Sequence, residues 1–275
     1  VKWNTLLFIF SFGFAQSFAG NQRLRISGST TVAPIIQSYV QDLSTQGLDL
    51  LVDTQGGSSG GLLALKSGDA DIAMVSSPLS EEHRKWFEGK NLSETTIAYD
   101  ALAVIVSKSL FEAGVTKLSK ESLQKIYESK VKSWNELGAG PDKPILFFNK
   151  EPGRGTWEVF VKYLYGNLKS VPNVPHPVVG SNQEVMAKVS KSNHAISTVS
   201  LAWAHKNDQV KALSLQDSKG EFIDPSMENA KNGKYPLVRP LILLTLNRQN
   251  DLKKITTHLQ SASAKNRLVE MGFNP

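Results

Sequence analysis

The chain reads as an α/β protein built from two units. Three observations predict this. Short apolar strand patterns alternate with amphipathic helix patterns, the alternation restarts after one long apolar strand, and three turns rich in glycine and hydroxyls stand where a strand pattern gives way to a helix pattern.

In order along the chain, Arg23-Leu24-Arg25-Ile26 reads as a strand, 34–43 as an amphipathic helix opened by Pro34, and 48–52 as the second strand. Residues 61–66 follow as a helix and Ile72-Ala73-Met74-Val75 as a third strand. A β-α-β-α-β opening predicts a largely parallel sheet with helices on both faces, and a ligand beyond the carboxyl ends of its strands. Residues 96–106 form the long apolar strand. Beyond it come a helix at 120–128, a strand at 145–148, helices at 156–164 and 183–190, strands at 195–199 and 237–244, and closing helices between 251 and 271. Segments 141–144, 171–177 and 218–235 read as loops.

The first twenty residues read as an export signal: Lys2 gives a positive start, Leu6-Leu7-Phe8-Ile9-Phe10 leads an apolar run too short to span a bilayer, and Ser17-Phe18-Ala19 has the small-x-small form of a cleavage site before Gly20. The chain has no cysteine, so no disulfide and no acylated anchor is expected. Free diffusion in a periplasm follows from both. The net charge of +6 favours anionic ligands, but the lysines are spread along the chain, which argues against a nucleic-acid face.

The three turns are Gly28-Ser29-Thr30-Thr31, Gly57-Ser58-Ser59-Gly60-Gly61 and Gly153-Arg154-Gly155-Thr156. A helix start carries unpaired N–H groups and a positive dipole end, glycine permits close backbone approach, and Ser and Thr add donors, so the three together read as an oxyanion cage. Each also has a plain structural reading: Thr30 and Thr31 as caps, Gly57, Gly60 and Gly61 as a tight turn.

Ile26-Ser27-Gly28-Ser29-Thr30-Thr31-Val32-Ala33-Pro34 is similar to the opening of the phosphate-binding proteins that serve Pst-type ABC phosphate importers. The segments 55–61, 70–79, 149–156 and 235–241 follow in that family's order, so the resemblance spans the mature chain. It implies a two-lobed type II periplasmic binding protein fold. Lobe 1 is expected over 21–99 with 240–275 returning to it, and lobe 2 over 100–239. The crossings are expected near Tyr99-Asp100 and 235–241, with hinge closure as the working motion. It also implies inorganic phosphate and a membrane ABC permease as partners, a monomer, no cofactor, no metal and no catalysis.

Carried over by position, Thr30 and Thr31 match the first contact with phosphate, with Ser29 a candidate beside them, Ser58 matches the second, and Gly155 and Thr156 the third. Two departures matter. Lys150 stands where the family commonly has Arg, and Arg154 where it has a small hydroxyl residue, so Arg154 is expected to take the charge-pairing role with Lys150 assisting. Ser76 stands where better-known members carry an Asp that accepts the phosphate proton. Asp100 is the substitute candidate, or else a brace for the hinge.

Two other functions compete. Gly56-Gly57-Ser58-Ser59-Gly60 fits G-x-S-x-G with His194, His205 and His258 downstream, but no paired carboxylate and no HGGG-type segment accompany it, and two anion turns would be unexplained. P-loop, HExxH and GxGxxG signatures are absent, and the five histidines lack metal-ligand spacing. An oxyanion-responsive signalling adaptor, or a binder of another tetrahedral oxyanion, would carry the same cage.

Overall fold

The computed structural model describes residues 23–138 and 140–275. The export signal read in residues 1–20 lies outside them. No helix among the described residues is long and apolar enough to cross a membrane.

A mixed sheet runs through the molecule in the order Leu50–Asp53, Leu24–Gly28, Ile72–Val75, Val238–Thr245, Ser93–Ser107, Ala195–Ser200, Leu146–Phe147, with Val210–Ala212 on the far end of Ser93–Ser107. The first three strands are parallel, as the opening pattern predicts. The largely parallel sheet goes no further. Val238–Thr245 runs antiparallel to both Ile72–Val75 and Ser93–Ser107, and Ala195–Ser200 runs antiparallel to Ser93–Ser107. The two long strands pass through the middle in opposite directions, which no local pattern encodes.

Ser93–Ser107 changes partners along its length. Up to Ala101 it pairs with Val238–Thr245, and from Leu102 it pairs with Ala195–Ser200. A bulge shifts the register between Leu241 and Ile242, whose partners are Ala98 and Thr96. The change of partner coincides with a change of core. One buried apolar cluster draws its members from 101–237, and another from 24–98 and 241–273 together with Ala202. A third, smaller cluster packs the helix Gly57–Ser67 on Ala73, Val75, Ile242 and Leu244. The two larger clusters therefore share little beyond the paired strands.

Local departures from the sequence reading have tertiary causes. The helix expected at 34–43 breaks at Tyr39 into Ala33–Ser38 and Val40–Ser44; Tyr39 is fully buried and its hydroxyl donates to the Ala264 carbonyl at 2.7 Å. The helix expected from Gly61 begins at Gly57, after Gly56 in the left-handed region at φ +67°. Gly61 then lies on the first strand, where a β-carbon would sit 2.4 Å from the Ser27 carbonyl oxygen. The expected loop at 218–235 holds the strand Phe222–Ile223 and the helix Met227–Lys231, both too short to show a period.

Candidate functional site

The parallel strands Leu24–Gly28 and Ile72–Val75 end side by side and deliver Ser29 and Ser76 to one place, where Ser29 Oγ donates to Ser76 Oγ at 2.9 Å. The first turn of Gly57–Ser67 adds Ser58, whose Oγ accepts from the Ser76 amide at 3.2 Å. Thr31 completes this side, its amide donating to Ser29 Oγ at 3.1 Å. All four side chains are buried.

The other half meets them with the helix Gly155–Tyr165. A β-carbon on Gly155 would lie 2.6 Å from Ser76 Oγ and 2.8 Å from Ser58 Oγ, so only a glycine lets the two halves come this close. Six helices among the described residues open on a serine whose hydroxyl accepts a backbone N–H, at Ser80, Ser107, Ser119, Ser181, Ser226 and Ser261. The two helices whose starts meet here, Gly57–Ser67 and Gly155–Tyr165, have no side-chain cap. Their positive ends converge on the hydroxyls, the arrangement that suits an anion.

Between the halves lies an ion pair on the crossing strands. Arg239 donates to Asp100 Oδ2 through Nε at 3.0 Å and Nη2 at 2.8 Å, and both side chains are closed to solvent. Arg239 Nη2 also donates to Thr31 Oγ1 at 3.0 Å, and Nη1 donates to Thr156 Oγ1 at 2.9 Å, so one guanidinium touches both halves. Ser200 donates to the second Asp100 oxygen at 2.8 Å. Burial holds the Asp100 carboxyl above the usual carboxylate range, and the Arg239 charge and the hydrogen bonds from Ser200 and Arg239 offset this only in part.

Lys150 is buried on the second half, donating to the Gly180 carbonyl at 2.8 Å and to Asn182 Oδ1 at 3.4 Å. Burial first, then the charges of Arg154 and Arg239, lower its ammonium to about 7. Asn182, wholly buried, carries the line onward by donating from Nδ2 to Thr31 Oγ1 at 3.0 Å. Nearby, the Ser77 hydroxyl of one half donates to Glu158 of the other at 2.8 Å, and burial raises the Glu158 carboxyl. Among the described residues no group of His, Cys, Asp and Glu is placed to hold a metal ion.

Of the sequence candidates, Ser29, Thr31, Ser58, Ser76, Asp100, Lys150, Gly155 and Thr156 come together here. Thr30 stands at the edge, half-buried. Arg154 is turned to Glu151, donating from Nε at 2.9 Å and Nη2 at 2.8 Å, and lies across Gly57 rather than among the hydroxyls. The guanidinium in the cluster is that of Arg239. Asp100 likewise has both oxygens engaged by Arg239 and Ser200. Arg239 and Asn182 escape sequence reasoning as site residues. An arginine inside the apolar run 237–244 is the signal that could have found the first, because a buried guanidinium needs a partner.

Residues 15–263 match the model of the PBP superfamily domain. A phosphate-binding protein PstS of Borreliella burgdorferi is 30% identical over 258 residues, covering 90% of this chain and 88% of that one. The structure of an ABC-type phosphate transport receptor from Vibrio cholerae superposes with a TM-score of 0.71 at 29% identity, over 92% of this chain and 100% of that one. A protein of Clostridium perfringens solved with bound phosphate superposes with a TM-score of 0.79 at 24% identity, over 92% and 99% of the two chains, a likeness of fold. The five motifs, the crossing strands and these matches agree: the chain belongs to the PBP superfamily, among the PstS-type phosphate-binding proteins.

Proposed function

We propose that this protein binds inorganic phosphate in the cluster between its two halves and presents it to a membrane ABC permease. The observation that carries the reading is Arg239, which reaches Thr31 of one half and Thr156 of the other while two uncapped helix starts face the same place. Taking a small, multiply charged anion out of water is costly unless a full set of donors replaces the water, and that set is complete only with both halves in contact.

In this reading the lobes are 21–99 with 240–275, and 100–239. They hinge where Ser93–Ser107 and Val238–Thr245 cross, and phosphate draws the open form toward the closed one. The segregation of the apolar clusters on either side of the crossing supports that division. The cage is completed within one chain, which supports action as a monomer, and the export signal supports a periplasmic location. Ser58, the would-be nucleophile, bonds Ser76, while His194 and His258 bond Asn193 and Gln46, away from it. Nothing in the cage splits a bond; the protein holds and releases.

Titration calorimetry of the leaderless protein tests the reading. Saturable one-site binding of phosphate is expected, and absence of binding to phosphate in an otherwise folded protein overturns it.

A further inference from the structure

Beside the cage the two halves meet along a second seam. Ser77 follows the strand Ile72–Val75 of one half, and its hydroxyl donates to Glu158 Oε2 of the other at 2.8 Å. In the same interface the Ser59 amide donates to the Gly153 carbonyl at 3.0 Å, so backbone also meets backbone across the gap. The Ser59 hydroxyl lies 3.4 Å from His83 Nε2, and His83 is near enough to Glu158 for its charge to act there. Ser77, His83 and Glu158 are all buried.

Parting of the halves returns these groups to water, so closing them strips a carboxylate of its hydration and offers the Ser77 hydroxyl in exchange. Two charged or titratable groups act on that carboxylate: His83, from the facing helix Glu81–Lys85, and Lys162, one turn along its own helix. Burial outweighs both and holds the Glu158 carboxyl above its ordinary range. The forms that suit a closed seam are a neutral acid, or a carboxylate facing an imidazolium, and each needs one proton on the pair.

We infer that Glu158 and His83 make a proton-taking seam: the halves close with one proton on the pair, so that acid favours the closed form and alkali the open one, whatever occupies the cage. The inference rests on the hinge closure of the phosphate reading.

The first test is made without ligand. In small-angle scattering, leaderless Glu158→Gln, whose side chain is neutral at every pH, should be more compact than the wild type at pH 8, and the two should converge as pH falls toward 4.5. A constant difference, or none, overturns the inference. The wild type alone keeps the test decisive should the variant not fold: its radius of gyration should shrink over the same interval, and a constant radius overturns the inference. The second test is phosphate affinity by calorimetry. Ionisation of phosphate and of Lys150 acts on both proteins and cancels in the ratio of their dissociation constants. At pH 8 the wild type should bind about threefold or more weakly than Glu158→Gln, with the ratio approaching one toward pH 4.5. That ratio without any change in the shape of the ligand-free proteins assigns Glu158 to direct repulsion of the anion and overturns the inference. Shapes that respond to pH as stated, with no binding of phosphate, uphold the seam and overturn the phosphate reading.

Discussion

Gly155 sits against Ser76 so closely that even a methyl group would collide: its carbon would fall 2.6 Å from the serine hydroxyl and 2.8 Å from the serine carbonyl carbon. The second of these atoms belongs to the backbone and cannot step aside. Gly155→Ala is therefore a wedge between halves that can each still fold. Phosphate affinity should fall by about 1–3 kcal/mol, the usual cost of overpacking, with little change in the unfolding transition of the ligand-free protein. Calorimetry with a parallel thermal melt checks it; a variant that binds like the parent shows that closure does not need this contact.

Arg239 should matter more to the ligand than Arg154. Arg239→Lys keeps a charge but loses the fork that reaches Thr31 and Thr156 together, so affinity for phosphate should drop by about 1.5–3 kcal/mol. Arg154→Ala removes a side chain already occupied by Glu151 and should cost less. The two affinities measured side by side decide the order, and the reverse order would return Arg154 to the centre of the site.

Lys150 should take up a proton when an anion arrives. The buried amine is lowered to about 7, so at pH 8 it is mostly neutral, and an adjacent anion pulls it back toward its charged form. Calorimetry in buffers of different ionisation enthalpy should show more proton uptake by the wild type than by Lys150→Met. The same group makes the folded protein gain stability as pH rises from about 7 toward 10.5, the interval in which the unfolded chain binds the proton and the folded one does not.

Glu158 titrates with the opposite consequence. Its carboxyl is raised by burial above its ordinary value of 4.5, so the folded state holds a proton that the unfolded state gives up. The contribution is whole below 4.5 and drains away as pH rises through the higher folded value. Glu158→Gln, which keeps a neutral side chain beside Ser77, should melt at a higher temperature than the wild type at neutral pH. The difference should vanish in acid; a constant difference across pH would place the effect in packing instead.

Much of the fold is legible in the chain because alternation of strand and helix is a local property. The strands at 72–75 and 195–199 and the helices at 120–128 and 156–164 emerge within a residue or so of their expected ends. The antiparallel middle of the sheet is not legible, since the direction of Val238–Thr245 depends on where the chain has travelled after 107. The site divides in the same way. Hydroxyls beside glycines at helix starts advertise themselves, so the sequence names Ser29, Thr31, Ser58 and Thr156 as candidates, and the structure gathers them into one cluster. Arg239 and Asn182 lie in no such motif, and their partners are 208 and 151 residues away in the chain. Asp100 is correctly placed at a crossing, but its neighbour across the strands could be known only from register.

That register has a kinetic consequence. Asp100 and Arg239 are opposite residues on the two strands that join the halves, so in the proposed hinge motion the guanidinium would sit near the axis rather than on either moving part. If the halves open as proposed, an incoming anion would meet the Thr31 side before the Gly155 helix arrives, and escape would be governed by how often the second half lets go. Variants on the Gly155 side should shorten the bound lifetime while leaving the association rate nearly untouched.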